Sequence, residues 1–136
     1  MITQVDHIGI AVADLDVAMQ RYTTLFGVTD FHREQVADQG VDIASFMLGE
    51  VRIELTAPLH EQSPIATFIA KRGEGIHHLA FRSDDIEADL EHARSHNIEL
   101  INRTPQPGAH GMQIAFLHPK STGGVLMEFC TEQGDV

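Results

Sequence analysis

Cysteine occurs once in the 136-residue chain, as Cys130. No intrachain disulfide can form, and a reducing cytoplasm is the natural setting. Basic residues are scarce: nine lysines and arginines stand against twenty acids, and the only lysines are Lys71 and Lys120. A net charge of −11 leaves no basic stripe for nucleic acid. An anionic ligand must therefore be met locally, by residues such as Lys71, Arg72, Arg103 and Lys120. No apolar run approaches the roughly 20 residues of a membrane span. The opening "MITQVDHIGIAV" lacks the basic start of a secretion signal. A Gly/Ser-rich linker is missing too, so one soluble cytoplasmic domain over 1–136 is expected, without a nucleic-acid or membrane partner. There is no G-x-S-x-G elbow for a nucleophilic serine, and the "KST" at 120–122 lacks the glycine spacing of a phosphate-binding P-loop.

What the chain does have is an internal repeat. "DHIGIAVADLDVAM" at 6–19 aligns with "HHLAFRSDDIEADL" at 77–90, setting His7 on His78 and Asp14 on Asp85. "VRIELTA" at 51–57 aligns with "VLMEFCT" at 125–131, setting Glu54 on Glu128. Each half reads as a strand, an aspartate-capped helix and three extended segments. The helices are expected over 15–27 and 86–96. The extended segments are 29–37, 41–48 and 51–57 in the first half, and 98–103, 112–117 and 125–131 in the second, with "TPQPGAHG" as a turn. Ser63 and Pro64 start a joining helix over 63–72, between a module of about 1–60 and one of about 75–132. The fold class is α+β, built from two βαβββ modules.

Alternate residues of a strand face opposite ways. That parity sets His7, Glu54, His78 and Glu128 away from the apolar rows Ile8/Ile10/Val12, Ile53/Leu55, Leu79/Phe81 and Met127/Phe129. A pseudo-twofold between the modules would bring the four together in the concavity of the sheets. Two imidazoles and two carboxylates suit a divalent ion with open positions for substrate. Cobalt heads the candidates, with manganese, nickel and zinc also suited. His77 has the opposite parity to His78, and its repeat partner is Asp6, so it is expected to support the site or to pack. His32, His60, His92 and His96 have no matched partners and read as surface residues. Cys130 shares the Glu128 side of its strand without an activating pair. The loop "HPKSTGGVL" at 118–126 offers Lys120, Ser121 and Thr122 to an anion, or is a polar hairpin turn.

The stretches "DHIGIAV", "QG" at 39–40, "IELTAPL", "SPIATFIAKRGEGIHHLAF", "GAHG" and "FLHPKSTGGVLMEF" cover nearly the whole chain in order. Together they resemble the methylmalonyl-CoA epimerases of the vicinal oxygen chelate superfamily. The resemblance implies a curved mixed sheet around a metal site, an acyl-CoA substrate and a homodimer. It assigns His7, Glu54, His78 and Glu128 as ligands of one divalent ion. It also implies interconversion of (R)- and (S)-methylmalonyl-CoA by proton removal and return beside the thioester. In some epimerases glutamine takes the place of Glu54, and a catalytic glutamate follows the "QG" turn where this chain has Ile43. Glu128 and Glu54 are then expected as the acid/base pair, with Asp42 in reserve. Lys120 and Ser121 are expected at the acyl carboxylate or thioester. Arg72 and Lys71 are expected at the CoA phosphates, or simply as helix C-terminal charges. A glyoxalase I-like lactoylglutathione lyase and a metal-free small-molecule binding protein are the alternatives.

Overall fold

The computed structural model describes residues 1–132. Its elements run β1 (Ile2–Ala11), α1 (Leu15–Phe26), β2 (His32–Val36), β3 (Val41–Leu48), β4 (Val51–Pro58), α2 (Pro64–Arg72), β5 (Gly75–Ser83), α3 (Ile86–Ser95), β6 (Gln106–Pro107), β7 (Met112–Leu117) and β8 (Met127–Glu132). The capping residues act as expected. Asp14 accepts from Val17 N, Ser63 from Ile65 N and Asp85 from Ala88 N, each satisfying a helix-terminal amide. Gly27 ends α1 in the left-handed region, φ 73°, where its N–H reaches Thr23 O. Among the described residues, no helix is long and apolar enough to cross a membrane.

The chain divides into two compact units, Ile8–His77 and Met1–His7 together with the residues from His78 on, so β1 contributes to both. In the Ile8–His77 unit, β3 pairs antiparallel with β2 and β4, placing Ser45 opposite Glu54. Just past β1, Val12 N bonds Thr56 O of β4 at 2.9 Å. The α1 face carrying Leu15 and Ala18 packs on Ala44, Phe46, Ile53 and Leu55, with Tyr22 and Phe31 against the Phe46 ring. Burying side chains of this kind contributes about 1.5–3 kcal/mol each and holds β3 and β4 in register.

His77 also belongs to this unit, and it packs. Its ring meets Phe68 of α2 edge to face, with centroids 5.0 Å apart. Burial pushes its imidazole down from 6.5 to about 4. Between those values the unfolded chain takes up a proton that the folded one refuses, so stability falls as pH drops through this window. For a half-buried ring the loss is about 1–3 kcal/mol. We predict that His77→Phe removes this component: the gap in urea midpoint between variant and wild type widens from pH 7 to about pH 4. A constant gap would show that the ring is not held neutral.

In the other unit β8 is central. It pairs parallel with β5, placing Ala80 opposite Glu128, and antiparallel with β7, placing Phe116 opposite Glu128. On one face α3 packs Ile86, Leu90 and Ala93 against Ala115, Leu117, Met127 and Phe129. The opposite face carries Ala80, Met112, Ile114, Phe116 and Cys130. The alternation anticipated for β5 and β8 is thus present, with Glu128 opposite the helix-packed row.

One expected strand is displaced. Residues 98–103 form no strand, only the isolated bridge Leu100–Leu117, and β6 lies instead within the stretch expected to be a turn. The reason is Asn102. Ile101 N still reaches Phe116 O at 2.8 Å, but Asn102 Oδ1 then accepts from Phe116 N at 2.9 Å, taking the place of a backbone partner. Pairing resumes at Gln106 opposite Ile114. The return is tight: a Cβ on Gly108 would lie 2.7 Å from Ile114 Cγ2, a buried, stiff side chain. Gly108→Ala is therefore expected to destabilise the fold by about 1–3 kcal/mol through overpacking, read as a lower urea midpoint at unchanged m.

Candidate metal centre

Three of the anticipated ligands meet within the unit that contains β8. The parallel β5–β8 register places Ala80 opposite Glu128, so His78, two residues earlier on β5, shares that face. His7 Nε2 lies 3.2 Å from His78 Nε2 and 3.2 Å from Glu128 Oε2, while His78 Nε2 lies 3.7 Å from Glu128 Oε1. All three residues are buried, at 4%, 7% and 3% exposure. Two ligands each about 2.0–2.2 Å from one ion stand about 3 Å apart, so these separations suit donors sharing a divalent cation. The Phe116 ring meets His78 edge to face at 5.6 Å, which makes one wall of the cluster apolar.

Behind His7 stand two residues that sequence reasoning passed over. Asp6 Oδ2 lies 2.7 Å from His7 Nδ1. Asp6 Oδ1 accepts from Arg82 Nη2 at 2.7 Å and Nε at 3.1 Å. Arg82 shares parity with His78 and also reaches Glu132 at 3.4 Å. The bond to Asp6 raises the guanidinium pKa further. A carboxylate bound to a guanidinium only accepts, so Asp6 favours a proton on His7 Nδ1 and a lone pair on Nε2, the nitrogen that faces His78 and Glu128. The donor chemistry therefore fits a divalent ion. His77, expected to support the site or to pack, packs on Phe68, and the residue in contact with His7 Nδ1 is Asp6.

Glu54 lies in the Ile8–His77 unit, 3% exposed on β4. Arg52 Nε donates to its Oε2 at 3.1 Å, two residues away on the same face. Ile43 shares the parity of Ser45, which pairs with Glu54, so Ile43 lies on the Glu54 face. Asp42 has the parity of Ala44 and Phe46 on the helix-packed face, and its Oδ2 stands 3.6 Å from Arg33 Nη2. The reserve acid thus faces away from Glu54, because one residue of register reverses the side-chain direction.

The loop candidates are engaged around Glu99. Lys120 Nζ pairs with Glu99 Oε2 at 2.8 Å, and Ser121 Oγ accepts from Glu99 N at 2.9 Å. Ser121 keeps its O–H to donate elsewhere. Arg72 lies over the Phe68 ring at 5.8 Å, and Lys71 and Arg72 form the exposed last turn of α2. Cys130 is fully buried and its thiol points to Phe81 O at 3.6 Å.

Comparison with known proteins places the chain in a family. A family model, the glyoxalase/bleomycin resistance protein/dioxygenase superfamily, matches residues 6–116. The uncharacterised protein YqjC of Bacillus subtilis is 40% identical over 97% of this chain and 94% of its own. The ethylmalonyl-CoA/methylmalonyl-CoA epimerase of Cereibacter sphaeroides is 36% identical over 94% of this chain and 97% of its own. A solved methylmalonyl-CoA epimerase in complex with methylmalonyl-CoA and NH4+ matches with TM-score 0.94 at 36% identity, covering 98% of this chain and 97% of the other. The chain belongs to the glyoxalase/bleomycin resistance protein/dioxygenase superfamily and has its α+β fold of paired βαβββ modules. Within that superfamily it belongs to the methylmalonyl-CoA epimerase family.

Proposed function

We propose that this protein interconverts (R)- and (S)-methylmalonyl-CoA, with one divalent ion held by His7, His78, Glu128 and Glu54. The observation that carries the reading is the buried His7–His78–Glu128 donor set in a chain of the epimerase family. Glu54 joins the set because it repeats Glu128 in the sequence and is likewise a buried strand carboxylate. The relatives' acyl-CoA ligand supports a CoA thioester as substrate. Cobalt is the first candidate ion, with manganese, nickel and zinc suited to the same mixed donors. A homodimer rests on the family resemblance, and a cytoplasmic setting on the lone cysteine.

When bound, the ion supplies Lewis-acid stabilisation for the negative charge that develops on the substrate oxygens. The rest is done by side chains. Inverting the carbon between thioester and carboxylate requires a proton to leave one face and arrive on the other, so two groups share the work. Glu128 and Glu54 take these roles. Arg52 holds one Glu54 oxygen in place, and the apolar row of Ala80, Met112, Ile114 and Phe116 keeps bulk water from Glu128. Asp42, turned to the helix-packed face, is left out of the pair. Lys120 and Ser121 bind the acyl carboxylate or thioester oxygen, Lys120 by exchanging its partner Glu99 for substrate. Lys71 and Arg72 meet CoA phosphates from the end of α2.

Proton NMR of methylmalonyl-CoA in deuterated water, with cobalt-loaded protein, tests the reading. The expected result is loss of the C2 proton signal and collapse of the methyl doublet, together with epimer interconversion. No exchange, alongside turnover of the glutathione hemithioacetal, would replace it with the lyase reading. Failure to take up any of the four metals would replace it with the binding-protein reading.

A further inference from the structure

Arg82, Asp6 and His7 form a chain of contacts in which each link has a defined direction. Arg82 gives two N–H donors to one oxygen of Asp6, at 2.7 and 3.1 Å. The other oxygen of Asp6 is 2.7 Å from His7 Nδ1. Asp6 is 2% exposed and His7 4%, so a partner lost by either is not replaced by water and the loss is costly. We infer that Arg82 and Asp6 are positioning residues, which set the His7 ring so that the Nε2 lone pair, and not an N–H, faces His78 and Glu128. The inference rests on the metal reading given above and assigns the parts of the chain that prepare it.

The direction of each link makes the device testable. Oδ1 of Asp6 is committed to Arg82, and in an Asp6→Asn variant only the amide oxygen can take that place, because a guanidinium cannot accept. The amide NH2 must then turn toward His7 Nδ1. A donor at that position forces Nδ1 to accept, which moves the ring proton to Nε2 and blocks the lone pair. Removing Arg82 as well frees the amide to rotate and offer its oxygen to Nδ1–H. The relay therefore makes an unusual forecast: the second substitution repairs the first.

Long-range proton–nitrogen correlation spectra of 15N-histidine-labelled, metal-free protein report the His7 tautomer. Cobalt titration followed by absorbance reports affinity. Wild type is expected to show Nδ1–H, and Asp6→Asn to show Nε2–H with cobalt affinity about 10–100-fold weaker. The double variant Asp6→Asn/Arg82→Met is expected to return to Nδ1–H and to bind cobalt more tightly than Asp6→Asn alone. A merely structural role predicts the reverse, since the double variant would be the more damaged. An Nε2–H tautomer in wild type, or an unchanged tautomer in Asp6→Asn with affinity within about threefold, overturns the inference. If wild type binds no divalent ion, the metal reading fails, while the tautomer exchange in the metal-free variants still decides whether Asp6 and Arg82 set the ring.

Discussion

His78→Ala is expected to abolish stoichiometric cobalt binding, whereas His77→Ala leaves it nearly intact, as equilibrium dialysis of the purified variants would show. The two histidines are neighbours in sequence and similar in chemistry, so the contrast isolates position. His78 Nε2 stands within 3.2 Å of His7 Nε2 and 3.7 Å of Glu128, on the face shared by β5 and β8. Removing it takes away one nitrogen donor and leaves a gap that alanine cannot fill. The loss should exceed the 10–100-fold that removal of an outer partner costs. His77 packs against Phe68, where alanine leaves a small void beside α2. Its effect falls on stability, by about 1 kcal/mol or somewhat more, and not on the ion. Equal binding by His78→Ala and wild type would remove the donor set from consideration.

The different placement of the two histidines was legible in the sequence because it depends only on strand period and on a repeat. Period two separates His77 from His78, and the match of His7 to His78 marks which of the pair lies beside His7. The helices were legible for a similar local reason, since Asp14, Ser63 and Asp85 are caps whose effect spans only the next few residues. What parity could not deliver was Asp6. A strict alternation sends it away from His7, yet its carboxylate reaches Nδ1 of the very next residue. Arg52 was readable in principle, because it has the parity of Glu54, whereas Arg82 has the parity of His78 and completes Asp6 on another strand. Their value appears only once their partners are known to be buried. The displaced β6 has another cause: the Asn102 side chain substitutes for the backbone, and composition gives no sign of which asparagine will do so.

Glu128→Gln and Glu54→Gln are each expected to slow epimerisation by about a hundred- to ten-thousand-fold, measured on metal-loaded protein. The two losses should differ in kind. With one base removed, the remaining carboxylate still takes the C2 proton of the epimer that presents it to that side, and returns deuterium from solvent to the same face. Each variant should thus exchange the proton of one epimer without inverting it, and the two variants should act on opposite epimers. Glu54 carries the sharper argument. Some epimerases resembled by this chain have glutamine at its position and a glutamate after the "QG" turn, where this chain has Ile43. Ile43 sits opposite Thr56, diagonal to Glu54 on the same face, while the neighbouring Asp42 is turned toward Arg33. With an apolar residue at 43, the proposed mechanism assigns the second proton transfer to Glu54, whose carboxylate Arg52 contacts. The double variant Ile43→Glu/Glu54→Gln should then recover part of the activity that Glu54→Gln loses, because it moves the carboxylate along one face instead of removing it. Exchange and epimerisation at full rate in Glu54→Gln would show that Glu54 is not a base, and the second proton transfer would have to be sought elsewhere on that face.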